Sequence, residues 1–314
     1  MFSPSDLFEI PFGDWIDAGV KDWLVPNFRP LFRSMQVPIS WVLDGLDAFL
    51  NAMPMLLFAA ILTLIAWRTA GRGVAIFTAL ALVFLDLIGV WSQTMTTLAM
   101  IVTAVFFCAL IGIPLGILGA RNDRFMSVLR PILDIMQTIP PFVYLVPIVM
   151  LFGVGTVPGV IATIIFALPP IIRLTNLGIR GVRSDLVEAA YAFGSTPRQV
   201  LWEVQFPLAL RTIMAGLNQT LMMALSMAVI AALIGAGGLG LTVNTGLGRL
   251  DVGTAMEGGV GIVILAIILD RITQSFAERK SVKTPSLLAT FKSYFSPAGR
   301  TASAPADKPA PSAR

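Results

Sequence analysis

The 314-residue sequence contains no histidine and a single cysteine, Cys108. A His-based metal site and a Ser-His-Asp triad are therefore excluded. One cysteine cannot close an internal disulfide, so the redox compartment is not legible. Charge is scarce as well: Asp, Glu, Lys and Arg make up 13% of the chain, against about 25% in a typical soluble domain. There is no G-x-x-x-x-G-K-[ST] loop and no Gly-Lys pair anywhere, so the chain cannot cradle ATP phosphates by that route. The opening residues, MFSPSDLFEIPFGDW, show neither a basic n-region nor an apolar h-region, so no signal peptide is expected there.

What the chain has in abundance is apolar sequence. Hydrophobic residues reach 56%, and mean hydropathy is +0.83. The expectation is an all-α, polytopic membrane helical bundle. A spanning helix needs about 20 mostly apolar residues, and seven stretches qualify: 51–67, 73–90, 95–120, 132–152, 157–172, 213–234 and 255–269. The fifth and seventh are short. No internal repeat is visible.

The basic residues orient these spans. Arg68 and Arg72 lie between the first and second, and Arg121, Arg124 and Arg130 lie between the third and fourth. Arg173, Arg180, Arg183, Arg198 and Arg211 lie between the fifth and sixth, and eight Lys or Arg residues run from Arg271 to the end. The remaining loops hold only Arg249. This alternation fits the positive-inside rule, with the N-terminus outside and the C-terminus in the cytoplasm.

Three regions are expected: an external tail over 1–50, a membrane domain over 51–277 and a disordered basic cytoplasmic tail over 278–314. In the first, Trp15, Ile16, Gly19, Val20, Trp23 and Leu24 share one helical face. That face suits either a helix lying in the membrane interface or a tail packed on the outer rim of the bundle. The basic tail could meet anionic lipid, or simply be solvated.

One polar stretch interrupts the apolar sequence: EAAYAFGSTPRQVLWEVQFPLALR, beginning at Glu188. Leu186, Ala189, Ala190 and Phe193 follow i, i+3, i+4, i+7 spacing, one face of a helix. Asp185 is placed to cap its start and Gly194 to end it. Thr196, Pro197 and Gln199 then read as an N-cap, a first helical residue and a capping box. Phe206-Pro207 is expected to end this second helix before the sixth span. Glu188, Arg198 and Glu203 keep the hairpin out of hydrocarbon, and it is longer than a plain connector. The small Ala189-Ala190 pair and the glycine turn leave room for another protein, so the hairpin reads as a docking element rather than a self-packed loop.

Here the residues carry a resemblance. Glu188-Ala189-Ala190, three residues, Gly194, nine residues, then Val204-Gln205-Phe206-Pro207 resembles the EAA loop of ABC importer permeases. That pattern is EAA, three residues, G, nine residues, I-x-L-P; Val and Phe stand here for Ile and Leu. NQTLMMALSMAVIAALIGAGGLG from Asn218, GRLDVGTAMEGGVGIVILAIILDRITQ from Gly248 and IPFGDWIDAGVKDWLVPNFRPLF from Ile10 are similar to permeases for glycine betaine, proline and choline uptake. The likeness runs to about Ala277.

The resemblance implies a type I ABC importer permease fold. It also implies that Glu188, Ala189, Ala190, Gly194 and Pro207, within the 184–207 loop, couple the chain to a separate ATPase subunit. ATP and Mg would then sit on that partner, and this chain would bind no cofactor and catalyse no reaction. The resemblance further implies an extracytoplasmic substrate-binding protein and a homodimer of the permease in a prokaryotic inner membrane. Nucleic acid has no place in this reading. The Gly-rich loop 235–253, with Arg249 and Asp251, is either the docking face for the binding protein or a flexible turn.

The pathway is marked only by polar residues inside spans: Gln137 and Thr138 in the fourth, and Asn218, Gln219, Thr220 and Ser226 in the sixth. Such residues face a bundle interior or a water-filled path, or simply hydrogen-bond between helices. Pro140, Pro141 and Pro147 should kink the fourth span. Asp134 could pair with Arg130, and Asp86 lies near the outer end of its span. A secondary transporter or channel with an unusual hairpin is the alternative reading.

Overall fold

A computed structural model describes residues 11–278, and every regular element among them is helical. A short α1 (Phe12–Asp17) and a π-helical segment (Ala18–Leu24) lead into α2 (Val25–Ala52). The bundle continues with α3 (Met55–Ala70), α4 (Arg72–Leu87), α5 (Trp91–Arg121), α6 (Asp123–Thr138), α7 (Pro141–Phe152) and α8 (Thr156–Arg180). Then come the short α9 (Ser184–Ala192) and α10 (Pro197–Gln199), a π-helical segment (Val200–Gln205), α11 (Phe206–Ala231), α12 (Leu239–Arg249) and α13 (Val252–Glu278).

The seven expected spans are not reproduced as seven simple helices. Four uninterrupted helices are long and apolar enough to cross a bilayer: Trp91–Arg121, Thr156–Arg180, Pro197–Ile234 and Val252–Ser275. Two further crossings are possible only as bent pairs. The expected fourth span is one of them, since α6 and α7 meet at 100°. Ile139 stands before Pro140-Pro141 and is extended, at φ −68° and ψ 127°, as a residue before proline is driven to be. Neither proline has an N–H to carry the helix ladder across the break. The other bent pair joins the helical stretch ending at Ala52 to α3 at 106°.

Over residues 25–52 the expected tail is one long helix that packs against α5 and α7, in keeping with the second of its two readings, a tail packed on the bundle. The Gln36 amide donates to the Phe152 carbonyl at 2.9 Å, and Ser92 donates to Asn51 at 3.0 Å. Trp15 and Trp23 are exposed. The expected basic tail lies outside the described residues, apart from its first position.

The core is built by α5, α8 and α11. A Cβ on Gly116 of α5 would stand 2.5 Å from Thr175 Cβ and 2.8 Å from the Ile172 carbonyl oxygen of α8. On Gly216 of α11 it would stand 2.9 Å from Leu174 Cβ. Small residues at these positions let backbones approach closely, which is how helices associate where lipid removes the hydrophobic drive.

Two ends are distinguishable. At one, Arg180 at the end of α8 pairs with Asp123 at the start of α6 (2.6 Å) and donates to the Gly119 carbonyl of α5 (2.8 Å). At the other, Leu239 N–H donates to Thr97 Oγ1 (2.7 Å), and Gly155 N–H donates to the Ile234 carbonyl (2.8 Å). The Gly-rich loop is no flexible turn: it contains α12, packed along α13. Asp251 caps α13 through Thr254, accepting from its N–H at 3.2 Å and its hydroxyl at 2.7 Å. The Thr254 hydroxyl bond holds the Asp251 carboxyl below its ordinary range, so this cap is intact at neutral pH and fails as pH falls through the carboxylate range.

Candidate functional site

The hairpin is closed by local chemistry. Arg183 precedes α9 in an extended conformation and is its N-cap position, not Asp185. Asp185 lies in the first turn, where its carboxylate accepts from Leu186 N–H at 3.0 Å and pairs with Arg183. Its charge there still favours the helix start. At the other end Gly194 adopts φ +85°. Gly194 N–H donates to the Tyr191 carbonyl at 2.9 Å and Ser195 N–H to the Ala190 carbonyl at 3.1 Å. These two bonds define a Schellman motif, which needs a left-handed residue where glycine carries no Cβ penalty.

The next helix opens with a full capping box. Thr196 Oγ1 accepts from Gln199 N–H at 3.4 Å, and Gln199 Oε1 accepts from Thr196 N–H at 2.8 Å. Pro207 does not end this helix, contrary to expectation. The chain stays helical from Pro197 to Ile234. The π-helical turns over Val200–Gln205 lead directly into Pro207. A proline ring clashes with the carbonyl four residues back in a regular α-helix, and widened i→i+5 turns relieve that clash.

Burial divides the hairpin. Val200 and Leu201 are 1% and 4% exposed and anchor the second helix, while α9 has no buried residue at all. Its apolar face, expected from the spacing, is turned outward: Leu186 is exposed, and Phe193 is 91% exposed. Tyr191 and Trp202 are exposed as well. Glu188, Ala189 and Gly194 are open and Ala190 is half-buried, and no atom lies within 4 Å of a Cβ placed on Gly194. Pro207 is exposed at the base of α11. Phe193 was read from sequence as part of the α9 face, but Tyr191 and Trp202 were not singled out, although the clustering of aromatics in an otherwise polar stretch was a readable signal.

The expected pathway residues separate into two groups. Gln137 and Thr138 are the last two turn positions of α6, directly before the 100° break. Gln137 is half-buried and its amide points to Met223 Sδ of α11 at 3.8 Å. Gln219, Met222 and Ser226 form an exposed stripe on the same helix, and Ser226 donates to the Met222 carbonyl at 3.1 Å. Gln137 and Thr138 thus stand beside the break and Gln219 and Ser226 on one open face of α11, with the Gln137–Met223 contact joining α6 to that helix. Asn218 does not join them. Its amide donates to Asp270 of α13 at 2.8 Å, and Gln274 donates to the same carboxylate oxygen at 2.6 Å. Thr220 is fully buried. Asp270 was missed from sequence, because its partner lies 52 positions away.

Asp134 pairs with Arg173 of α8 at 2.6 Å, not with Arg130. That bond ties the broken pair to the core. Asp86 is exposed at the end of α4. Among the described residues no group of three or more His, Cys, Asp or Glu is arranged to hold a metal ion.

Comparison with known proteins gives this geometry a family. Residues 112–281 match the family described as binding-protein-dependent transport system inner membrane component. The glycine betaine/proline betaine transport system permease protein ProW of Escherichia coli (strain K12) is 57% identical over 85% of this chain and 75% of its own length. The glycine betaine transport system permease protein OpuAB of Bacillus subtilis (strain 168) is 44% identical over 87% of this chain and 97% of its own. Among solved structures, an inward-facing MetNI methionine ABC transporter superposes with a TM-score of 0.51 at 26% identity, over 63% of this chain and 94% of that one. The chain therefore belongs to the binding-protein-dependent transport family as a multi-pass inner-membrane permease of type I ABC fold, a non-enzymatic subunit served by a separate ATPase and a substrate-binding protein.

Proposed function

We propose that this permease carries glycine betaine and related quaternary ammonium or betaine solutes, and that α9 with its glycine turn is where ATP hydrolysis on the partner subunit reaches the bundle. The outward-turned face of α9 carries the coupling reading. A helix that buries none of its own residues and presents Phe193 at 91% exposure leaves apolar area for a partner to cover. Glu188, Ala189, Ala190 and Gly194 form its contact surface, and Pro207 sits at the junction through which motion enters α11. Because α10, the π segment and α11 are one continuous helix, displacement of the hairpin is transmitted as rigid-body movement of the α11 face.

Gln137, Thr138, Gln219 and Ser226 line the path in this reading. The break between α6 and α7 resembles the discontinuous helices that form midplane sites in other transporters. Asn218 acts beside the path, holding α11 to α13 through Asp270. The open stripe of α11 meets its counterpart in a second copy, giving a homodimer with the path between the two. The arginine-rich end faces the cytoplasm and the N-terminus lies outside. The solute class is supported by the relatives named for glycine betaine and proline betaine transport.

The test is uptake of labelled glycine betaine, choline and carnitine into vesicles holding this chain with its ATPase and binding protein. Uptake should require ATP hydrolysis and survive an uncoupler at constant ATP. Uptake that collapses with the proton gradient, or that ignores all three solutes, refutes the proposal.

A further inference from the structure

The α3–α4 hairpin is short for a membrane protein. Each helix has 16 residues, about 24 Å at 1.5 Å per residue, against a hydrocarbon core of about 30 Å. A helix pair too short for the bilayer draws headgroups inward around its turn. The turn here is Gly71, flanked by Arg68 and Arg72. Among the described residues neither arginine has an acidic partner.

Beside that turn the two helices leave a cleft of about 490 Å³, lined by Thr63 and Trp67 of α3 and by Arg72, Ala75, Ile76 and Ala79 of α4. Its volume falls within the roughly 300–1,000 Å³ of small-molecule sites. The wall is almost wholly apolar, and its only polar lining residues are Thr63 and Arg72. Trp67 is 55% exposed and lies at the arginine end, the level at which tryptophan meets headgroups. Between its charged ends, Arg68 and Arg72 at the turn and Asp86 at the far end of α4, the hairpin exposes apolar residues, among them Leu57, Ile61, Leu64 and Leu80. α3 and α4 pack against each other and against α13.

We infer that this cleft binds one anionic phospholipid of the leaflet at the basic end. One acyl chain lies between α3 and α4 against Ala75 and Ala79, and the phosphate meets Arg72, with Arg68 beside it. Charge complementarity selects the occupant: a neutral apolar molecule leaves two guanidiniums unmatched, and a small soluble anion leaves the apolar walls uncovered. The bound lipid extends the short hairpin to the headgroup plane and fills the cleft between α3 and α4. The inference does not depend on which solute is carried or on how the ATPase docks.

The test uses the full chain in complex with its ATPase, delipidated in detergent and then offered phosphatidylglycerol or phosphatidylcholine with identical acyl chains. Native mass spectrometry counts the lipids retained. The expected result is preferential retention of one phosphatidylglycerol per permease. Arg72→Gln should lower that retention about fivefold, the factor expected for one basic residue at an anionic surface, and Arg72→Lys should keep most of it. Ala79→Phe, which fills the cleft without changing charge, should reduce retention of both lipids. Arg121→Gln, at the same end of the molecule but outside the cleft, should leave retention unchanged. Equal retention of the two lipids by the unaltered complex would overturn the proposal. So would unchanged retention in both Arg72→Gln and Ala79→Phe, or displacement of the lipid by glycerol 1-phosphate, which has a headgroup but no chain.

Discussion

The coupling hairpin and the helical core both turn on glycine, for opposite reasons. Gly116 of α5 is small because α8 lies against it: a Cβ there would meet Thr175 Cβ at 2.5 Å and a backbone oxygen at 2.8 Å. A Cβ on Gly194 would meet nothing within 4 Å, and this glycine is needed for its φ of +85° instead. One glycine serves tertiary packing, the other a local turn. The core is thus specified by contacts between distant segments, and the hairpin by caps that its own sequence supplies. A region of the second kind can keep its shape while its outer face stays free for a partner.

Breaking the comparison at the core should give the largest effect. Gly116→Val forces side-chain volume against the α8 backbone, which cannot rotate away. Overpacking of this kind costs about 1–3 kcal/mol and sometimes more. The expected outcome is loss of folded protein from the membrane, measured as abundance and as thermal unfolding in detergent. Normal abundance in this variant would mean that α5 and α8 are not held as close as they stand here.

Gly194→Val tests the other side. No neighbour is struck, so the cost is backbone strain alone, roughly 1–2 kcal/mol for an L-residue in the left-handed region, and it is confined to the hairpin. Abundance should stay near normal while co-purification of the ATPase and uptake are lost. Equal loss of abundance in both variants would erase the distinction between the two regions. A smaller structural effect is expected from Glu188→Lys. This exposed residue should change stability by less than about 0.5 kcal/mol. If it faces a partner surface selected for its charge, reversal should weaken ATPase association about tenfold or more. Unchanged association, read by co-purification across a salt series, would reduce Glu188 to a solvated helix position.

The same contrast explains what was legible in the sequence. Thr196, Pro197 and Gln199 lie within four positions of one another, and so do Ala190 and Gly194, so the capping box and the glycine turn could be read directly. Pro207 was misread because the usual rule assumes regular α-helical turns, whereas the turns before it are π-helical. The prolines after Thr138 announced a kink, but its 100° size depends on where α8 and α11 hold α6 and α7. The α2 helix was hidden because its 28 residues include Pro30 and Pro38 in its interior, which argue locally against a continuous helix. Asn218 looked like a pathway residue because polarity inside a span can be seen while the direction it faces cannot. Only the packing of α11 on α13 reveals Asp270 as its partner.

The finest test of local specification is the capping box itself. Thr196→Ala removes the acceptor for Gln199 N–H, a loss worth about 0.5–2 kcal/mol at a helix start. Val200 and Leu201 remain buried at 1% and 4% exposure and still pin the second helix to the bundle, so global stability should not move. The change should appear instead as faster hydrogen exchange at the amides of Gln199 and Val200, by roughly tenfold for each 1.4 kcal/mol lost. Gln199→Ala removes the reciprocal bond to Thr196 N–H, and because both bonds belong to one box the double variant should lose less than the sum of the two singles. The α9 amides should be unaffected, since that helix is closed by its own Schellman bonds at Gly194. Acceleration spreading into α9 would mean that the two helices of the hairpin are one cooperative unit, and the glycine turn would then be a rigid joint rather than an independent stop.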